Sequence, residues 1–122
     1  MGEADQARLT THVLDTSLGK PAAGIAVTLS RVGSAGERSL VAEAVTNDDG
    51  RCDSPLMAGE AFEIGTYELT FAAGDYFDAL GAVLPEPKFL GEVVLRFSIA
   101  ERRHYHVPLL LSPFGYTTYR GS

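Results

Sequence analysis

Two of the chain's three histidines stand two residues apart, as His104-Tyr105-His106. The segment runs on through Val107-Pro108-Leu109-Leu110-Leu111 and closes on Tyr119-Arg120-Gly121-Ser122. Imidazole is the side chain whose ordinary pKa suits proton transfer near neutrality. In a strand, residues i and i+2 share a face at a spacing of roughly 7 Å. His104 and His106 would then look the same way, with Tyr105 and Val107 turned toward a core. Chain ends usually carry dispensable polar residues; a segment this aromatic and apolar is expected to pack into a site. The third histidine, His12, lies in Thr10-Thr11-His12-Val13-Leu14-Asp15, and Arg51 follows Asp48-Asp49-Gly50. A fixed guanidinium there could hold a carbonyl, an enolate or another anion.

Each of these residues also has an ordinary reading. Two histidines on a strand can be partly exposed and inert, His12 alone reads as structural, and an arginine after a turn is commonly solvated. Three imidazoles and a water would make a catalytic zinc site, but a His-x-His pair with one remote histidine is a weak spacing for it. No metal is expected. Ser122 sits in no Gly-x-Ser-x-Gly elbow, so a serine nucleophile is not indicated; its hydroxyl or the terminal carboxylate could still bond a substrate or a water. Cys52, the only cysteine, has no motif around it, reads as an inert thiol, and allows no internal disulfide.

The elements that must position these groups alternate in period two. Ile25, Val27 and Leu29 alternate with small or polar residues, and residues 38–46, 66–72 and 93–100 behave alike. Turn signals separate them at Leu18-Gly19-Lys20-Pro21, Gly33-Ser34-Ala35-Gly36 and Asn47-Asp48-Asp49-Gly50. Short alternating strands at this spacing indicate an all-β sandwich or barrel. One segment departs: residues 74–81 read as a short helix, with Asp75 as a cap and Gly81 past its end. A proline-containing loop follows at residues 84–88. Pro108 cannot donate a ladder hydrogen bond, so the histidine strand is expected at a sheet edge or with a bulge.

At 122 residues the chain makes one domain, and its 45% hydrophobic and 21% charged content is that of a folded protein. A net charge of −6 argues against a nucleic-acid partner, which needs a basic face. Arg102, Arg103 and Arg120 near the terminal segment suit a small anionic ligand better. The start, MGEADQARLTTHV, has no apolar run of signal-peptide length, and no run approaches the ~18 residues of a membrane span. A cytoplasmic location, without membrane contact, is expected.

With these residues in view, the chain resembles the transthyretin-related 5-hydroxyisourate hydrolases. The resemblance is carried by LTTHVLDTSLGKPAAGIAVTL, TNDDGR and HYHVPLLLSPFGYTTYRGS, and extends over residues 8–122. The terminal Tyr-Arg-Gly-Ser is its specific part, because it separates the hydrolases from the hormone-carrying transthyretins. The resemblance implies a transthyretin-like sandwich of two four-stranded antiparallel sheets with one short helix, with residues 1–7 as a flexible start. It implies a homotetramer with active sites at subunit interfaces, and no cofactor. His12, Arg51, His106 and Ser122 fall on the family's catalytic positions, and Arg51, Tyr119, Arg120, Gly121 and Ser122 on substrate-binding ones. His104 is the neighbour, held as secondary. The implied reaction opens 5-hydroxyisourate by hydrolysis of its N1–C6 amide bond, giving 2-oxo-4-hydroxy-4-carboxy-5-ureidoimidazoline. The rival is a transthyretin-like carrier of a small aromatic ligand in a central channel, for which a channel lined by histidines and arginine is poorly suited.

Overall fold

The structure is a computed structural model and describes residues 6–121. Among the described residues nine strands form two stacked sheets, accompanied by one short α-helix and a 3-10 turn at Gly59–Ala61. The strands are β1 (Arg8–Asp15), β2 (Lys20–Pro21), β3 (Ala26–Val32), β4 (Arg38–Val45), β5 (Met57–Ala58), β6 (Gly65–Phe71), β7 (Val93–Ile99), β8 (His104–Ser112) and β9 (Gly115–Thr118). The helix, α1, is Ala73–Ala79. One sheet runs β2-β1-β8-β9, with β5 paired to the other end of β1; the second runs β4-β3-β6-β7. Alternation explains the layering. Leu9 and Val13 of β1, Val27 and Leu29 of β3, Tyr67, Leu69 and Phe71 of β6, and Leu109 and Leu111 of β8 all turn inward and are buried.

The all-β sandwich and its single helix match the sequence reading, with two corrections. The sheets are not wholly antiparallel: β1 and β8 run parallel, Arg8 opposite His104 through Asp15 opposite Leu111. A parallel pair cannot be closed by a hairpin. Here the connection between the two strands contains the entire second sheet together with β2, β5 and the helix, and side-chain alternation carries no mark of strand direction. The histidine sheet also has five strands rather than four, because two-residue ladders flank β1 at both ends.

Pro108 does not mark an edge, since β8 lies between β1 and β9. The ladder to β9 stops at Leu109 opposite Thr118 and resumes at the isolated pair His106–Gly121. The gap thus falls opposite the residue without an N–H, and the Thr118 hydroxyl donates to the Pro108 carbonyl at 2.8 Å. The helix begins two residues before Asp75, which lies in its first turn and does not cap it. The Gly74 N–H instead donates to the Gly91 carbonyl, 2.8 Å. Gly81 ends the helix as expected, with φ +78°. At the start of the chain, Ala7 is already buried in the core, while residues 1–5 lie outside the described residues.

Candidate active site

Parallel pairing of β1 with β8 sets the site. Arg8, Thr10 and His12 alternate onto the outer face of β1, as His104 and His106 do on β8, and the register places Thr10 opposite His106. The Thr10 hydroxyl lies 2.8 Å from Nε2 of His104 and 2.8 Å from Nδ1 of His106. The two imidazole rings are 6.1 Å apart, centre to centre. One hydroxyl therefore joins both rings, and Nε2 of His106 is the nitrogen it leaves free.

Arg51 reaches this face through a turn that Asn47 organises. The Asn47 side-chain oxygen accepts from the N–H groups of Asp49 and Arg51, and the Asn47 N–H donates to the Arg51 carbonyl at 2.7 Å. The Gly50 carbonyl accepts from Val13, so Arg51 bridges to His12 in antiparallel fashion. Gly50 has φ +78°, and a Cβ there would lie 2.4 Å from the Val13 carbonyl oxygen. Only glycine fits this close approach of turn to strand. The same turn fixes His12. Nε2 of His12 is 2.8 Å from the Asp49 carbonyl oxygen, which can only accept. His12 is thus held with its proton on Nε2 and Nδ1 as its other nitrogen.

Arg51, His104 and His106 line an open depression of about 390 Å³ together with Arg8, Thr10 and Cys52 among others, and His12 lies behind Arg51, off this lining. Burial lowers the His106 pKa below the ordinary imidazole value, and the nearby Arg51, His104 and His12 lower it further. His104 is lowered by burial and then by Arg8. His104 and His106 are therefore neutral at neutral pH and able to accept protons. Burial, then Asp53, raises the Cys52 thiol, which keeps it protonated. Neutral imidazoles beside a guanidinium can deprotonate a water and hold the oxyanion formed when it attacks a carbonyl. Among the described residues no cluster of three or more His, Cys, Asp or Glu side chains is arranged to hold a metal ion.

The terminal segment divides. The Gly121 N–H donates to the His106 carbonyl, 2.7 Å, and a Cβ on Gly121 would lie 2.8 Å from Cδ2 of His106. Gly121 therefore closes against the ring edge next to Nε2. Tyr119 and Arg120 line a different cavity, with Leu95–Ser98 of β7, and the Arg120 guanidinium sits 5.9 Å over the Tyr105 ring. Ser122 lies outside the described residues. Sequence reasoning missed Thr10 and Arg8. Period two already places both on the face of His12, but the chemistry of Thr10 appears only once β1 is known to lie beside β8.

Comparison with known proteins shows the family of the chain. The model of the HIUase/transthyretin family matches residues 9–121. The chain belongs to that family. A 5-hydroxyisourate hydrolase of Mesorhizobium japonicum is 60% identical over 121 residues, covering 98% of this chain and 96% of that protein. Among solved structures, the Klebsiella pneumoniae 5-hydroxyisourate hydrolase superposes with a TM-score of 0.80 at 37% identity, over 95% of this chain and 99% of that one. An (S)-allantoin synthase gives a TM-score of 0.89 at 45% identity over 97% of this chain. The chain spans 45% of that longer protein. Among the described residues, no helix is long and apolar enough to cross a membrane.

Proposed function

We propose that this protein hydrolyses 5-hydroxyisourate at the cavity between β1, β8 and the Asn47–Arg51 turn. The observation that carries the reading is the gathering of Arg51 and His106 from distant segments around one polar depression, with His12 bridged to Arg51 and Gly121 against the His106 ring. Its support is a chain 60% identical, over nearly its full length, to a relative that bears the name of that enzyme.

His106, through Nε2, takes a proton from the attacking water. The hydroxide adds to C6 of the substrate, Arg51 stabilises the negative charge on the former carbonyl oxygen, and collapse breaks the C6–N1 bond. The leaving nitrogen N1 takes back a proton, so one water is consumed and the ring opens to a carboxylate. His12, locked in one tautomer by the Asp49 carbonyl, orients the water or supplies the returning proton through Nδ1. Ser122 bonds the substrate or the water, Gly121 closes the wall beside the His106 ring, and Tyr119 and Arg120, on the neighbouring cavity, hold the segment that carries them. The substrate is a small molecule; the working assembly is a homotetramer in the cytoplasm, with sites completed at subunit interfaces.

The test is direct. Freshly generated 5-hydroxyisourate is added and its ultraviolet decay is followed against the spontaneous rate, with and without protein. Decay at the spontaneous rate, together with saturable binding of an aromatic ligand, would instead favour a carrier. Activity that vanished with a chelator and returned with zinc would replace the imidazole mechanism with a metal-assisted one.

A further inference from the structure

We infer that Thr10 and His104 are positioning residues that act through His106, forming a hydrogen-bonded relay that sets its tautomer and stores the proton it removes from water. The inference deepens the hydrolase reading and rests on it for its role in turnover, but the relay itself is a property of the free protein.

The geometry leaves few arrangements. The Thr10 hydroxyl has one proton and two acceptor lone pairs, and both ring nitrogens lie 2.8 Å from its oxygen. It can donate to only one of them, so with both contacts made at least one ring must donate to it. If Thr10 donates to His106, then Nδ1 of His106 is bare, its proton sits on Nε2, and the ring cannot act as a base. If Thr10 donates to His104, Nδ1–H of His106 donates to Thr10, and Nε2 of His106 is bare and basic. The second arrangement is the one that accepts a proton from water.

The same chain of bonds can carry that proton onward. When Nε2 of His106 gains a proton, Nδ1–H passes to the Thr10 oxygen while the hydroxyl's own proton passes to Nε2 of His104. His104 becomes an imidazolium, and His106 is again neutral with its proton on Nε2. When the leaving nitrogen takes that proton, the shifts run in reverse and every group returns to its starting state. Guanidiniums facing the two rings favour keeping the stay of the cation brief: Arg8 from β1 faces His104 and Arg51 faces His106, with the titratable His12 beside His106 as well. Cys52, lining the same depression, is protonated and adds no charge. His104 is half-buried and nothing else in the site requires an imidazole at that position.

The test uses Thr10→Val, which keeps the shape and removes the hydroxyl, Thr10→Ser, which restores it, and His104→Asn. Nitrogen-15 NMR of the imidazoles, recorded across pH on the full chain without substrate, reads tautomers directly. In the wild type, His104 and His106 should titrate as a coupled pair, and Thr10→Val should uncouple them and lower the Nδ1–H population of His106. In turnover, Thr10→Val and His104→Asn should each lower kcat by ~10- to 100-fold with KM little changed. Thr10→Ser should recover most of the loss, and the double variant should be no worse than either single. Independent titration of the two histidines in the wild type, or coupling and tautomers left unchanged by Thr10→Val, would overturn the relay, as would strictly additive losses in the double variant. A wild-type protein that fails to hydrolyse 5-hydroxyisourate but shows the coupled titration would remove the hydrolase reading and leave the relay standing.

Discussion

At the scale of single residues, the free nitrogen of His106 decides what the site can do. Burial and three neighbouring cationic or titratable groups hold its pKa below the ordinary 6.5. The group is neutral above its pKa and protonated as pH falls through it, so the base is lost only on the acid side. The acid limb of kcat/KM should therefore lie below pH 6.5, and Arg51→Gln should move that limb upward by removing a nearby positive charge, whatever it does to the maximum rate. A limb in Arg51→Gln at or below the wild-type position would show that His106 does not govern it. His106→Ala should lower turnover by ~10²- to 10⁴-fold with the fold intact, as expected for removal of a general base. Gly121 supplies a finer probe. A methyl group there would meet Cδ2 of His106 at 2.8 Å and force the ring aside. Displacements of that order can cost ~100-fold in rate, so Gly121→Ala should be nearly inactive while melting at the wild-type temperature.

At the scale of elements, the turn from Asn47 to Arg51 joins stability to chemistry. Gly50→Ala combines a left-handed backbone with a Cβ placed 2.4 Å from a carbonyl oxygen of β1. We expect a loss of about 2 kcal/mol in denaturant unfolding, and a fall in activity as the turn carrying Arg51 lifts from His12. An active, fully stable variant would mean that the turn does not need its contact with β1. The sequence made much of this legible. Asn-Asp-Asp-Gly announced a turn, and alternation put His104 and His106 on one face and His12 on another strand's outer face. What alternation could not supply was pairing: period two is blind to whether β1 runs parallel or antiparallel to β8, and to which strand lies between which. Thr10 became visible as a partner of both histidines only through that register. The interruption opposite Pro108 was equally hidden, because a proline says that one hydrogen bond is missing and not which neighbour has left room for it. The short ladders of β2 and β5 have two residues each, too few for any period to show.

At the scale of the whole molecule, the two sheets present different outer surfaces. The β4-β3-β6-β7 sheet is fastened across its outer face by Glu68, which accepts from Arg38 of β4 and Arg96 of β7. The two guanidiniums lower the Glu68 pKa to about 2. A depressed carboxylate contributes stability above its unfolded value of 4.5 and loses it as pH falls toward 2. Glu68→Gln should thus flatten the dependence of melting temperature on pH between 4.5 and 2, and an unchanged acid transition would deny the cluster that role. Assembly is the larger consequence of the architecture. Among the described residues, strands β7 and β9 each end their sheet with one edge unpaired, and both border the cavity lined by Leu95–Ser98 and Thr118–Arg120. Unpaired edges invite pairing with another chain. Phe114, Tyr116 and Tyr119, on and around β9, are exposed apolar surface that a partner would cover. The depression holding His104, His106 and Arg51 is open, whereas ligand sites ordinarily enclose most of their ligand, so a second chain laid over this sheet would supply the missing wall. For the proposed homotetramer, light scattering should give the mass of four chains at micromolar concentration. Dilution that lowers this mass should lower turnover per chain in parallel, because the site loses its wall as the assembly dissociates. Full turnover per chain in a solution shown to be monomeric would confine the active site to one chain and leave the edges of β7 and β9 without a catalytic role.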